Sequence, residues 1–247
     1  MELIVVGTYG EKLGHVDGKG SGLYVLKYDH EAQALAEFTG LIGQPQLSHL
    51  RNPTYLTSYR SSDQAPPILY IVDERNDSAG TVSAASVDLQ TGELKALGPS
   101  VAAAVDAKGM AGAACCHISV SPGGEHVLAA NYVGGSIVAI GRKADGSLDE
   151  SQVQHVLLPP GGCEATVRFP GPNPGRQEGS HAHMCAFSVG TDATTVLVPD
   201  LGSDVVWSIP YDAANRVTPL GTPVATAAGD PQPPWRRAAP RGGDHPR

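Results

Sequence analysis

The chain has 247 residues and a formal net charge of −8, and charged residues make up only 17% of it, whereas glycine (30) and proline (20) are abundant. An acidic chain presents no basic surface to nucleic acid or to an anionic membrane, so neither is expected as a partner. Glycine and proline at this level favour short strands joined by tight turns over long helices.

The N-terminal segment and the cysteines indicate a cytoplasmic protein. The first residues have no basic region and their apolar run is too short for a signal peptide, and no segment approaches the length of a membrane span. The spacing of the four cysteines fits neither a zinc site nor a disulfide framework, which favours buried thiols in a reducing compartment. These cysteines are Cys115, Cys116, Cys163 and Cys185.

One β-rich unit recurs four times along the chain. Each copy has an apolar strand that ends in a polar residue, a glycine-containing turn and a second strand. The first of these strands are predicted at residues 3–6, 68–72, 126–130 and 195–198, and the polar residues after them are Thr8, Asp73, Asn131 and Asp200. Another strand precedes each of the last three copies, at residues 53–56, 116–120 and 182–187, and a more variable strand follows the copies. Four antiparallel strands form the blade of a β-propeller.

The repeat predicts an all-β fold, an incomplete propeller of about four blades that forms one continuous domain over residues 1–229. A β-sandwich of similar strands is the alternative, although polar residues at matching strand ends favour the propeller, where they would converge on one channel mouth. Residues 230–247 have no strand periodicity and are rich in proline and arginine, so a disordered tail is expected there.

The chain resembles the seven-bladed β-propeller lactonases, the family of the propeller-type 6-phosphogluconolactonases and the fungal carboxymuconate cyclases. The resemblance runs from about residue 3 to about residue 229, and its most specific element is Arg-Gln-Glu-Gly-Ser-His-Ala-His at residues 176–183. The other matching segments are residues 6–9, 69–74, 116–124, 130–136 and 198–202. The family has seven blades, whereas this sequence contains about four and changes composition abruptly near Asp230. We therefore expect a C-terminal truncation, and an evolved basic tail is the alternative.

The candidate catalytic residues are histidines and the charged residues next to them. His117 and His183 are predicted at equivalent positions on the first strands of two blades, which line the channel of a propeller, and His181 shares a strand face with His183. The resemblance implies that His117 and residues 176–183 form the lactonase site.

The chemistry of lactone hydrolysis suggests a role for each residue type. His183 or His117 would activate a water as general base, and Arg176 would stabilise an oxyanion or bind an anionic group. Glu178 would orient an imidazole or pair with Arg176. The predicted substrate-binding residues are Gln177, Asn131, Glu74 and Asp200. In the alternative interpretation, Asp73, Glu74 and Asp200 cap turns at strand ends.

No metal and no cofactor are expected, since His181 and His183 would be only half of a metal site and the spacing fixes no third ligand.

The predicted function is 6-phosphogluconolactonase-like hydrolysis of a small anionic sugar lactone in the pentose phosphate pathway. Two alternatives remain: cyclisation of a muconate to a lactone, and a non-catalytic fragment that serves as an interaction scaffold. Exposed blade edges would favour self-association of the chain.

Overall fold

The fold is that of four consecutive propeller blades, seen in a computed structural model that describes residues 2–37, 45–76, 79–104, 114–159, 167–188, 194–214, 216–217 and 223–224. Each blade is one antiparallel sheet, and we number the sheets I to IV in chain order. The predicted tail at residues 230–247 lies outside the described residues.

The strands of blades I and II follow the predicted order. Blade I contains β1 (Glu2–Gly7), β4 (Leu23–Asp29) and β5 (Ala34–Glu37), with a small hairpin of β2 (Lys12–Leu13) and β3 (Val16–Asp17) between β1 and β4. A short 3₁₀ helix (Pro45–Leu47) leads to blade II. Blade II contains β6 (Tyr55–Tyr59), β7 (Ile68–Asp73), β8 (Thr81–Val87), β9 (Leu94–Ala96) and β10 (Val101–Ala102).

Blades III and IV complete the described fold. Blade III contains β11 (Cys115–Val120), β12 (His126–Asn131), β13 (Ser136–Arg142) and β14 (Leu148–Leu157). Blade IV contains β15 (Ala186–Phe187), β16 (Thr195–Asp200), β17 (Val205–Asp212), β18 (Arg216–Val217) and β19 (Pro223–Val224). The innermost strands of blades II, III and IV are therefore β6, β11 and β15.

Three apolar clusters lie between successive blades, and this arrangement distinguishes the propeller from a sandwich. On β7, Ile71 packs toward blade I while Tyr70 and Val72 pack toward blade III. On β12, Val127 packs toward blade II while Leu128 packs toward blade IV. Because successive side chains point to opposite faces of a sheet, strands that are buried on both faces appear in the sequence as continuous apolar runs.

The segments that carry the candidate histidines, at the start of β11 and just before β15, each contain a one-residue irregularity. In blade III, Cys115 pairs with Asn131 and His117 with Ala130, so two steps on β11 match one step on β12. In blade IV, an isolated bridge joins Ala182 to Asp200 and Ala186 pairs with Leu197, so four steps match three. An extra residue of this kind is a β-bulge, which re-aims the side chains beside it.

The bulges correct the predicted equivalence of the two histidines. Counting back from the regular pairs makes Met184, not His183, the counterpart of His117, and His183 then corresponds to Cys116. The strand predicted at residues 182–187 is also shorter than expected, at Ala186–Phe187. Pro199 on the facing strand has no N–H to donate, which weakens pairing beside His183.

Candidate active site

The inner strands of blades II, III and IV line one open cavity of about 420 Å³, which we call the channel cavity. Its lining includes Tyr55 of β6, His117 and Ser119 of β11, and Met184 just before β15. Tyr55 and His117 occupy matching register positions opposite Val72 and Ala130, and their rings are 4.5 Å apart. The cavity therefore runs along the inner faces of three blades.

His117 is buried in this wall as a neutral imidazole. Its Nδ1 accepts a hydrogen bond from the backbone N–H of Cys185 at 3.4 Å, so its proton lies on Nε2. Burial, with a smaller contribution from nearby His183, lowers the pKa of His117 to about 4. At neutral pH the side chain is therefore a hydrogen-bond donor through Nε2.

Residues 176–183 form a loop that places its charged groups around Tyr132 of blade III. The Nδ1 of His181 donates to the carbonyl oxygen of Tyr132 at 3.0 Å, and the two rings stack with centroids 4.5 Å apart and an interplanar angle of 18°. On its other side, the Nε2 of His181 lies 3.0 Å from Oε1 of Glu178. The Nη2 of Arg176 donates to the Tyr132 hydroxyl at 2.9 Å. The structure thus joins three predicted catalytic residues through one tyrosine.

His183 is the most accessible of the three candidate histidines. Its backbone N–H donates to Pro199, and the edge of its ring meets Tyr132 at a centroid distance of 5.5 Å. The side chain is exposed, and its ring nitrogens form no hydrogen bond within the described part of the chain. An exposed imidazole with such a ring nitrogen can accept a proton from water.

Gln177 and Asp200 hold this loop in place. Gln177 is buried, donates to the carbonyl of Leu201 at 3.1 Å and accepts from the N–H of Asn173 at 2.8 Å. Asp200 is also buried and accepts from the N–H of His181 at 2.7 Å and from the indole N–H of Trp207 at 2.9 Å. These contacts favour the turn-capping alternative for Asp200, and substrate contacts by either residue remain predictions.

The corresponding polar residues of blades II and III are likewise turned into the protein. Asp73 accepts from the backbone N–H groups of Arg51 and Asn52 at 3.0 and 2.6 Å, and it is paired with the guanidinium of Arg75. Asn131 is fully buried and donates to the carbonyl of Ala103 at 2.8 Å. Asp73, Asn131 and Asp200 therefore bond within the protein rather than converge on an open channel mouth, and a substrate contact of Asn131 stays a prediction.

Glu74 belongs to a second polar group at the junction of blades I and II. It is nearly buried, and its carboxylate accepts from the hydroxyls of Tyr9 at 2.8 Å and Thr54 at 3.0 Å. His15, in the hairpin between β2 and β3, lies 3.7 Å from the other carboxylate oxygen. Among the residues that the structure describes, no hydrogen bond joins this group to the loop at residues 176–183, and a role of Glu74 in substrate binding stays a prediction.

Tyr132 and Tyr55 belong to the site and were not predicted from the sequence. A signal for Tyr132 existed, because it follows Asn131 as Tyr9 follows Thr8 and Glu74 follows Asp73. Among the described residues, no group of three or more histidine, cysteine or acidic side chains is arranged to hold a metal ion. Over the same residues, no helix is both long and apolar enough to cross a membrane.

Fold and site together define a β-propeller whose channel cavity is lined by the inner strands of blades II, III and IV, with His117 in its wall. The chain belongs to the family described as "Lactonase, 7-bladed beta-propeller", whose family model matches residues 3–231. The all-β propeller fold and the family expected from the sequence are thereby confirmed.

Two of the three relatives described below carry lactonase names, and all three are about twice as long as this chain. The chain is 32% identical over 204 residues to a 6-phosphogluconolactonase of Bacillus subtilis, an alignment that covers 82% of this chain and 47% of the relative. A solved structure from Lactobacillus plantarum superposes with a TM-score of 0.62 at 26% identity and covers 88% of this chain and 51% of that one. The structure of a periplasmic gluconolactonase of Pseudomonas aeruginosa superposes with a TM-score of 0.63 at 23% identity. The match covers 90% of this chain and 54% of that one. The chain thus spans about half the length of the relatives it matches.

Proposed function

We propose that this site hydrolyses a sugar lactone in the manner of a 6-phosphogluconolactonase. The observation that carries the proposal is the contact of His183 and Arg176 with one residue, Tyr132, close to His117 in the wall of the channel cavity. These side chains supply an exposed imidazole, a guanidinium and a buried imidazole whose Nδ1 accepts a hydrogen bond. The name of the Bacillus subtilis relative supports the same activity.

His183 is the general base in this proposal. It removes a proton from a water molecule whose oxygen attacks the carbonyl carbon of the lactone. The bond from that carbon to the ring oxygen then breaks, and the ring oxygen takes the proton back from the imidazolium of His183. The product is the open-chain hydroxy acid, and no cofactor is consumed.

His117 acts as an oxyanion donor rather than as the second base. Its Nδ1 lone pair is occupied by the N–H of Cys185, and its Nε2 carries a proton at neutral pH. A buried N–H that is fixed before the reaction stabilises the negative charge that develops on the carbonyl oxygen. This geometry favours His183 over His117 as the base.

Arg176 binds the anionic group of the substrate. Its guanidinium is exposed, one nitrogen is engaged by the Tyr132 hydroxyl, and a guanidinium matches a phosphate in charge and geometry. Glu178 orients His181, with which it is in direct contact. With 6-phosphogluconolactone as substrate, the reaction would belong to the pentose phosphate pathway, and the cysteine content favours the cytoplasm.

The test is hydrolysis of 6-phosphoglucono-1,5-lactone by the full chain, measured as product formed above the spontaneous rate. We expect His183→Ala to lower kcat about 10²- to 10⁴-fold, as loss of a general base does. His30→Ala, a change at an exposed histidine of blade I, is the matched control and should leave kcat unchanged.

Arg176→Ala should raise KM for the phosphorylated lactone more than KM for unphosphorylated gluconolactone. A wild-type chain that shows no rate above the spontaneous reaction would overturn the proposal, as would full activity of the His183 variant. Conversion of carboxymuconate to its lactone, without hydrolysis of the sugar lactone, would favour the cyclase instead.

A further inference from the structure

Tyr132 occupies a position from which side chains reach the neighbouring blade. It is the residue after the strand-end cap Asn131, as Tyr9 follows Thr8 in blade I and Glu74 follows Asp73 in blade II. The Tyr9 hydroxyl crosses from blade I to blade II and donates to Glu74. Tyr132 crosses in the same way from blade III to the loop of blade IV.

The backbone of Tyr132 is fixed on both sides. Its N–H donates to the carbonyl of Ala114 at 3.0 Å, and its carbonyl accepts from the N–H of Gly135 at 3.3 Å in a tight turn. The same carbonyl accepts from Nδ1 of His181 at 3.0 Å. The tyrosine is therefore a rigid point on blade III, to which the loop of blade IV is attached.

Different parts of the Tyr132 side chain contact different functional groups. The hydroxyl accepts from Arg176, the ring face stacks on His181, and the ring meets the edge of His183. Arg176 is otherwise an exposed, long side chain, which would sample many conformers without such a partner. The hydroxyl thus restricts the guanidinium, and the ring restricts both imidazoles.

We propose that Tyr132 is a positioning residue that fixes the guanidinium of Arg176 through its hydroxyl and the imidazoles of His181 and His183 through its ring. It touches none of the reacting atoms and acts only through these three side chains. The assignment rests on the proposed lactone hydrolysis for its kinetic consequences, whereas the positions of the histidines can be tested without any turnover.

Two variants of Tyr132 separate the hydroxyl from the ring. Tyr132→Phe keeps the stacking and removes the bond to Arg176, so KM for the phosphorylated lactone should rise about threefold to tenfold while kcat changes little. Tyr132→Leu removes the ring as well, so kcat should also fall about threefold to tenfold. Tyr28→Phe and Tyr28→Leu are matched controls, because Tyr28 forms a ring pair with His30 on blade I, with centroids 4.8 Å apart.

A measurement that needs no turnover is the histidine NMR spectrum of the full chain, with His181 and His183 assigned through single His→Gln variants. We expect Tyr132→Leu to shift the ring resonances of His181 and His183 and to leave those of His30 unchanged. Tyr28→Leu should shift the ring resonances of His30 and leave those of His181 and His183 unchanged.

These readouts separate failure of the inference from failure of the proposed function. Unaltered His181 and His183 resonances in Tyr132→Leu would overturn the positioning role, and so would equal increases in KM for Tyr132→Phe and Tyr28→Phe. Absence of turnover in the wild-type chain would overturn lactone hydrolysis, while the NMR shifts would still decide the role of Tyr132.

Discussion

Blades II and IV build the same turn around an aspartate but attach different side chains to it. In blade II, Asp73 holds the N–H groups of Arg51 and Asn52, and in blade IV, Asp200 holds the N–H of His181. Both carboxylates are buried at the end of the second strand of their blade. The aspartate therefore belongs to the scaffold, and the chemistry depends on which residues occupy the loop that it caps.

The two blades also differ in what compensates the buried charge. Asp73 is paired with the guanidinium of Arg75, whereas Asp200 accepts from the indole of Trp207 and from the hydroxyl of Ser203. The buried carboxylate of blade II therefore has a charged partner, and that of blade IV has only neutral donors among the contacts described. The loop of blade IV thus leaves its own charged residues, Arg176 and Glu178, available at the surface.

The largest expected effect comes from removal of the blade IV aspartate. Asp200→Ala leaves the buried N–H groups of His181 and Trp207 without acceptors, and we expect the free energy of unfolding to fall by about 4 kcal/mol. Urea denaturation measures this loss. Asp73→Ala should cost about 3 kcal/mol, because the Arg75 guanidinium is partly exposed and can turn toward water.

The two variants should differ more in the rate of lactone hydrolysis than in the free energy of unfolding. We expect Asp200→Ala to abolish lactone hydrolysis, because the N–H of His181 loses its acceptor, and Asp73→Ala to retain most of it at a temperature where both variants are folded. Equal losses of kcat would contradict the distinction between the two blades.

The second prediction concerns the glycine that packs against the blade IV loop. A Cβ at Gly202 would overlap the carbonyl of Gly179, whereas a Cβ at Gly179 would have no atom within 4 Å. Gly202→Ala should therefore destabilise the fold by about 2 to 3 kcal/mol, and Gly179→Ala should change it by less than about 0.5 kcal/mol. Thermal unfolding of both variants tests the difference, and a neutral Gly202→Ala would mean that the loop can move away from its blade.

The third prediction uses the titration of His117, which is buried in the wall of the channel cavity. Because its pKa is lowered to about 4 in the fold, the unfolded chain binds the proton first as the pH falls. The resulting loss of stability begins near the ordinary pKa of about 6.5, reaches about 2 to 3 kcal/mol near pH 4 and is absent above pH 7.

His117→Asn keeps an acceptor for the N–H of Cys185 and removes the titrating group. Its free energy of unfolding should fall less steeply between pH 6.5 and pH 4 than that of the wild-type chain. Tyr55→Phe is the control on β6 and should leave the slope unchanged. Parallel curves for wild type and His117→Asn would show that the imidazole is not buried.

The repeat and its blades were predictable from continuous apolar runs, as at β7 and β12. Such runs arise because alternate side chains of these strands are buried against the two neighbouring blades. The histidine register was not, since the sequence does not show where a β-bulge inserts its extra residue. The contacts of Tyr132 were not predictable either. Arg176 lies 44 positions and His181 lies 49 positions from Tyr132 in the sequence, and both belong to the neighbouring blade. Local sequence carries no information on such pairs.

The smallest expected effect belongs to the surface carboxylate of the site. Glu178 has 62% of its side chain exposed, and its pKa is lowered by a hydrogen bond from its own backbone N–H and, to a smaller extent, by His181 and Arg176. Its contribution to stability is present above its ordinary pKa and is lost as the pH falls. Solvent screening limits that contribution, so Glu178→Gln should change the free energy of unfolding by less than about 0.5 kcal/mol.

The same variant should still affect the reaction, since the carboxylate orients His181. We expect kcat/KM to fall about threefold, roughly the value of one exposed ion pair, with Glu150→Gln on β14 as a neutral control. Glu74→Gln, at the buried carboxylate of blade II, should lower stability more and kcat/KM less, because Glu74 contacts Tyr9 and Thr54 rather than a candidate catalytic residue. If Glu74→Gln lowers kcat/KM more than Glu178→Gln does, the polar group of blade II belongs to the active site, and the contrast between the two blades is wrong.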